Sequence, residues 1–321
     1  MSVKSQRQTL PLRINFRGLL RGAGTLVGLI VIMATFASLS PAFLTEQNLF
    51  NILQQSAINA CVAIGMTLVI ISAGIDLSVG SVAALCAVVT AGLMVSGTPV
   101  FVAALAGLLV GAACGFFNGA MIAFVGLQPF IVTLGTLSLY RAFALIYTSG
   151  SPIFGIPNTF RQFFTGSLGP VPMPVIIVAV AALIAWVVLR QLPLGENIVA
   201  IGGNEEAARA SGVPVKRTKI ITYVISGVLS ALAALILVGR LGAAEPILGN
   251  LWELNAIAAA AIGGASLSGG RGSLIGTLLG AIILGAMTNG LTLLNVQAFY
   301  QLLATGIIII LAMVIDRLTK S

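Results

Sequence analysis

Asp76, Arg141 and Glu253 are charged residues that stand among apolar neighbours in this chain. Asp76 lies in Gly74-Ile75-Asp76-Leu77-Ser78-Val79-Gly80. A carboxylate at bilayer depth costs about 2.5–3.5 kcal/mol on insertion scales, so a buried one serves a purpose. Asp76 can accept hydrogen bonds from a polyhydroxylated solute, hold two helices in register, or cap the next helix near a solvated interface; Ser78 shares these readings. Arg141 falls about 18 Å along an apolar segment. There it can pair with a carboxylate, bond helix carbonyls or face a solute path. Asn59 and Asn289, with Asn118, Thr133, Asn255, Thr288 and Gln301, put hydrogen-bonding groups on apolar walls, as a polar path or helix glue requires. None of this is covalent chemistry. Histidine is absent, which removes His-based acid/base catalysis and the Ser-His-Asp triad. Cys61, Cys86 and Cys114 sit irregularly inside apolar runs and read as packing residues rather than disulfides or metal ligands. The chain is read as a non-enzyme without a metal or cofactor of its own.

The elements that must carry these groups are membrane helices. Of 321 residues, 58% are hydrophobic and 7% charged, against about 25% charged in soluble domains. The apolar runs are continuous, which excludes the alternation of a membrane barrel. Ten segments are expected, near 22–43, 57–73, 80–97, 100–126, 129–149, 174–191, 220–240, 251–265, 273–294 and 297–315. Thr45 is a candidate N-cap for a separate amphipathic stretch, 45–56. The eighth segment is short and Ala/Gly-rich, as in a broken or re-entrant helix. The fold class is thus all-α and polytopic, a basic tail (1–21) followed by one transmembrane domain (22–321). A faint repeat relates Gly74–Gly80 to Gly264–Gly270, both GxxLSxG.

The net charge of +8 is segregated, which argues for a membrane surface rather than nucleic acid. Lys4, Arg7, Arg13, Arg17 and Arg21 precede the first apolar run, Arg209, Lys216, Arg217 and Lys219 share one loop, and Arg317 and Lys320 end the chain. By the positive-inside rule both termini and the loop at about 192–219 are cytoplasmic. The loop from Ser151 to Met173 then faces outside, with an aromatic cluster of Phe154, Phe160, Phe163 and Phe164 that meets a partner or rests at the interface.

The cytoplasmic loop reads Gly202-Gly203-Asn204-Glu205-Glu206-Ala207-Ala208-Arg209-Ala210-Ser211-Gly212-Val213-Pro214. Asn204 can cap a short helix whose first turn holds Glu205 and Glu206, where the helix dipole favours anions. Gly212 can end it in a left-handed conformation with Pro214 beyond. The result is a rigid peg offered to something soluble.

This peg, with its Glu-Ala-Ala-x-x-x-Gly at Glu206 to Gly212, resembles the EAA motif of bacterial ABC importer permeases. Gln47 to Gln55, Gly65 to Ile70, Gly74 to Gly80, Thr133 to Thr136, Gly150-Ser151-Pro152, Gly202-Gly203-Asn204, Gly269 to Gly272 and Asn289-Gly290-Leu291 are similar, in order, to the ribose-type monosaccharide permeases. Glu196 departs from the basic residue expected there. The resemblance implies that Asn204, Glu205, Glu206, Ala207, Ala208, Gly212 and Pro214 couple to a cytoplasmic ABC ATPase that carries the ATP. It also implies a periplasmic or extracellular sugar-binding protein, a second permease copy, and residence among lipid in the bacterial plasma (inner) membrane. No G-x-x-x-x-G-K-[ST] occurs in the chain. A related permease for another small polar solute, such as a signalling sugar derivative or branched-chain amino acid, is the first alternative. An ion-coupled carrier or channel is the second; such proteins place several acids along an ion path, whereas here Asp76 and Glu253 are the candidates.

Overall fold

A computed structural model describes residues 16–318. Lys4, Arg7, Arg13 and Lys320 of the expected basic clusters lie outside them. The described chain is all-α, with four two-residue strands. The helices are α1 (Phe16–Leu39), α2 (Glu46–Ile71), α3 (Val79–Val95), α4 (Val100–Ala120, continued by a π-turn, Met121–Val125), α5 (Pro129–Thr148), α6 (Asn158–Thr165), α7 (Met173–Gln191), α8 (Pro193–Gly203), α9 (Glu205–Ala210), α10 (Val215–Leu241), α11 (Trp252–Ile262), α12 (Leu274–Leu293) and α13 (Ala298–Leu318). Six helices are long and apolar enough to cross a membrane on their described residues.

One expectation changes, and the short eighth segment is found short. The stretch 45–56 is not a separate element: it is the start of α2, one uninterrupted helix. Thr45 occupies the N-cap position, but its hydroxyl makes no cap bond and donates to the Ala42 carbonyl instead. The eighth segment is helical over only 11 residues, about 16 Å of axis, which is half a span.

The helices are arranged twice. α10 lies along α4 as α12 lies along α2, and α10 packs on α3 as α11 packs on α2. The pairs α3/α4 and α3/α5 recur as α11/α12 and α11/α13. α2 ends against Gly202 and Gly270, beside α8 and α9, whereas α10 starts from that same end. The halves α2–α5 and α10–α13 therefore run in opposite senses, the inverted repeat found in many transporters. The GxxLSxG match pairs the loop after α2 with the loop after α11. The structure instead pairs α2 with α10, so that short likeness does not mark the duplication. The corresponding breaks are 72–78 and 242–251. Each leads into a short helix, α3 or α11, and the N-termini of these two helices meet at Gly80 and Gly249.

Glycine permits the close contacts. Gly111, Gly115 and Gly119 form a stripe on α4 against Gly227, Tyr223 and Ile220 of α10, and Gly276 and Gly280 do the same for α12 on α11. Small residues at a four-residue spacing let membrane helices approach at backbone distance. At the end away from α9, β1 (Ile153–Phe154) pairs antiparallel with β4 (Ala243–Ala244), and β2 (Ser167–Leu168) with β3 (Val171–Pro172). The expected aromatic cluster divides here. Phe160 and Phe164 are buried under α6, with Phe164 against Gly239 of α10, while Phe154 and Phe163 are exposed.

Gly249 has φ +76°, and a Cβ there would stand 2.5 Å from the Gly80 carbonyl oxygen. Gly249→Ala is expected to lower the melting temperature of the detergent-purified protein or abolish its folding. Gly97→Ala is the control, with φ +93° but open space around it; it should cost only the left-handed strain, about 1–2 kcal/mol. Equal melting of the two variants would show that the Gly80–Gly249 approach does not matter.

Candidate functional site

The exposed end of the molecule is built on α9. Asn204 Oδ1 accepts the Ala207 N–H at 2.9 Å, the side-chain cap expected of it. Gly212 follows with φ +85°. Its N–H donates to the Arg209 carbonyl at 3.1 Å, and the Val213 N–H reaches back to Ala208 at 3.0 Å, the paired bonds of a Schellman stop. Val213 also packs against the small cluster of Ile201, Ala208 and Val215. A six-residue helix has no stability of its own, so this cluster and the ions hold it. Glu205 accepts from Lys219 of α10 at 2.6 Å and from Arg209 at 2.9 Å. Partial burial pulls the Glu205 carboxyl upward, but Lys219 and then Arg209 outweigh it and hold the group below the usual range. Glu206, Ala207, Ala210 and Ser211 face outward.

Behind the peg, backbone meets backbone. Gly202 lies against the Ile71 carbonyl with no room for a Cβ, and Gly270 N–H donates to that same carbonyl at 2.9 Å. Gly202-Gly203-Asn204 and Gly269-Gly270-Arg271 therefore converge on the last turn of α2. Five residues beyond that turn is Asp76.

Asp76 is 2% exposed, so the solvated interfacial cap expected as one reading is not what the fold makes. Its Oδ1 accepts the Ser78 N–H at 3.0 Å and the Ser78 hydroxyl at 2.6 Å, and its Oδ2 accepts the Ser226 hydroxyl of α10 at 2.9 Å. Asn118 of α4 donates to Ser78 Oγ at 2.8 Å. Tyr140 of α5 donates to the Cys114 carbonyl at 3.1 Å and lies 3.3 Å from Asn118 Oδ1. Thr133 of α5 donates to the Ile75 carbonyl at 3.1 Å. The carboxylate thus ties the start of α3 directly to α10 and, through Ser78 Oγ, to α4, while Thr133 of α5 holds the Ile75 carbonyl beside it.

The other candidates do not join it. Arg141 donates to the carbonyls of Pro246 and Leu248 at 2.7 and 2.8 Å, bridging α5 to the break before α11. Asn289 makes a reciprocal amide pair with Asn48 of α2, both bonds 2.9 Å. Asn59 is half-buried on α2, and among the described residues it is not hydrogen-bonded to any of these groups. The three cysteines are free and buried; Cys61 donates to the Leu229 carbonyl. Ser226 was not singled out in the sequence, and Lys219 and Asn48 stood there only as part of a basic cluster and of a motif, without the partners the fold gives them.

The family described as branched-chain amino acid transport system / permease component matches residues 48–313. The ribose import permease protein of Bacillus subtilis is 45% identical over 314 residues, covering 97% of this chain and 98% of the relative. The D-allose transport system permease protein of Escherichia coli K12 is 43% identical, covering 92% and 91%. The galactose/methyl galactoside import permease protein of the same strain is 36% identical, covering 95% and 96%.

Removing the Asp76 carboxylate strands the Ser78 N–H and the Ser226 hydroxyl, each worth about 1–3 kcal/mol when buried unsatisfied. Asp76→Leu is therefore expected to reduce folded yield sharply. Asp76→Asn keeps one carbonyl acceptor and should retain most of the folded protein. Fluorescence-detected size exclusion of both variants checks this, and equal yields would refute the register role. Asn48→Leu and Asn289→Leu should each destabilise through one stranded amide. The double variant should recover part of the loss, since replacing both partners of a buried bond is far less costly than replacing one.

Proposed function

From the premise that the chain belongs to the permease-component family just matched, on its ribose-type side, we propose that it is the membrane-spanning subunit of an ATP-driven importer that moves a monosaccharide across the bacterial inner membrane. The relatives named for ribose, allose and galactose support the substrate class. The observation that carries the coupling role is the capped, ion-bridged peg of α9, joined directly to α8, whose Gly202 packs on the end of α2. ATP is bound by a separate cytoplasmic ATPase, whose closure displaces α9. Gly202 and Gly270 pass that displacement to α2 and the Asp76 break, and so to α3, α4, α5 and α10 together. A binding protein delivers the sugar at the opposite end, where α6 and the strand pairs lie. Ten crossings with both termini cytoplasmic fit α1–α5, α7 and α10–α13, with the 242–251 break and α11 sharing one crossing. Two copies enclose the path, and selectivity rests with the binding protein.

The test is reconstitution of the permease with its ATPase and binding protein in liposomes, followed by uptake of labelled ribose, allose and galactose. Uptake should require ATP, the ATPase and the binding protein; accumulation without the ATPase would sink the proposal in favour of a carrier. Gly212→Val places a β-branched residue at φ +85°, which costs about 1–2 kcal/mol or more. That loss falls on a six-residue helix rather than on the bundle. The variant is expected to purify at normal yield yet lose ATP-driven uptake about tenfold or more, in proportion to about 1.4 kcal/mol per decade.

A further inference from the structure

A cleft of about 480 Å³ opens beside the peg, between the π-turn and its following loop on one side and α9 with the start of α10 on the other. Its charged lining is Arg209, Lys216 and Lys219 against the single carboxylate Glu205. Glu205 is already shared by Arg209 and Lys219, so positive charge remains in surplus. Two helix N-termini open into the same space: Gln128 and Pro129 begin α5, and Val215 and Lys216 begin α10. The first turn of α10 carries no acid but does carry Lys216 and Arg217. This opposes the usual preference of a helix N-terminus for negative charge, and an anion from outside the chain would relieve it.

The outer rim is apolar. Phe124 is 64% exposed, Val125 59% and Leu127 43%, and Phe130 and Ile131 continue the exposed apolar surface up α5. Lys216 stands 5.4 Å from the centre of the Phe124 ring. Cations beneath an apolar rim, where membrane-length helices end, match the depth at which acyl chains give way to head groups. Basic pockets between helices on that side suit anionic lipid head groups, and the volume lies within the usual range for small-ligand sites.

We propose that this cleft binds the phosphate of an anionic phospholipid of the cytoplasmic leaflet, wedging a lipid head group between the α4–α5 connection and the peg. Its acyl chains lie over Phe124 and Leu127, and its phosphate faces Lys216, Arg209 and the N-terminus of α5. This site is separate from the solute path and does not depend on which sugar is carried.

The test is native mass spectrometry of the purified permease–ATPase complex titrated with dioctanoyl phosphatidylglycerol, dioctanoyl phosphatidylcholine or inorganic phosphate. The complex should retain one phosphatidylglycerol per permease in preference to phosphatidylcholine. Lys216→Gln should weaken that binding about fivefold, the effect of about 1 kcal/mol per basic residue near a membrane surface, and Lys216→Glu should weaken it further. Lys216 is exposed, so co-elution of each variant with the ATPase verifies that it folds. Equal retention of the two lipids, or unchanged affinity in both variants, would overturn the site. Phosphate competing at the same concentration would show a free-anion site instead. Phosphatidylglycerol bound by the permease alone but excluded by the ATPase would assign the cleft to the docking surface.

Discussion

Every backbone N–H and C=O that leaves a helix inside an apolar surrounding must find a partner within the protein. Two stretches of this chain leave helices and lead back into the interior, 72–78 and 242–251, and polar side chains of the interior are arranged around them. Ser78 N–H goes to Asp76, and the Ile75 carbonyl takes the Thr133 hydroxyl. The Pro246 and Leu248 carbonyls take the Arg141 guanidinium. Without these side chains the breaks would carry stranded groups, and the short helices α3 and α11 could not start where they do. Asp76 and Arg141 thus serve first of all to satisfy the backbone where helices are interrupted.

The same constraint explains the glycines. A broken helix brings backbone close to backbone, and side chains would hold the pieces apart. Gly80 against Gly249, and Gly202 with Gly270 against Ile71, are places where a Cβ has no room. Such contacts are stiff, because neither side has a rotamer to yield. Gly202 thus joins α8, and through it the peg, to the end of α2 with no side chain between them.

The peg and the breaks were unequally legible in the sequence. Asn204, Gly212 and Pro214 act through local backbone geometry, within three or four residues of where they stand, so their types and spacing suffice to read them. The apolar segments were legible for the same reason, since span length is a local property. Asp76 and Arg141 were visible as costly residues, but their partners Ser226 and the Pro246 and Leu248 carbonyls lie more than a hundred positions away. Asn289 illustrates the limit: an amide in an apolar helix suits a solute path and a helix pair equally, and only the fold brings Asn48 to it. The short GxxLSxG likeness misled because glycine-rich turns recur wherever helices stop. The true duplication resides in helix packing, which leaves no four-residue signature.

The duplication also repeats one piece of chemistry. A buried helix N-terminus concentrates positive partial charge, and an anion in or just before the first turn relieves it. Asp76 stands before α3 and Glu253 in the first turn of α11, with Gly80 of α3 close to the Glu253 carboxylate. The two carboxylates are held differently, Asp76 by the hydroxyls of Ser78 and Ser226, Glu253 within the field of Arg141. Hydroxyls can exchange partners over small displacements, whereas Arg141 is anchored to two carbonyls of the opposing break. One break is thus satisfied by a carboxylate that accepts hydroxyls, and the other by a guanidinium that donates to carbonyls.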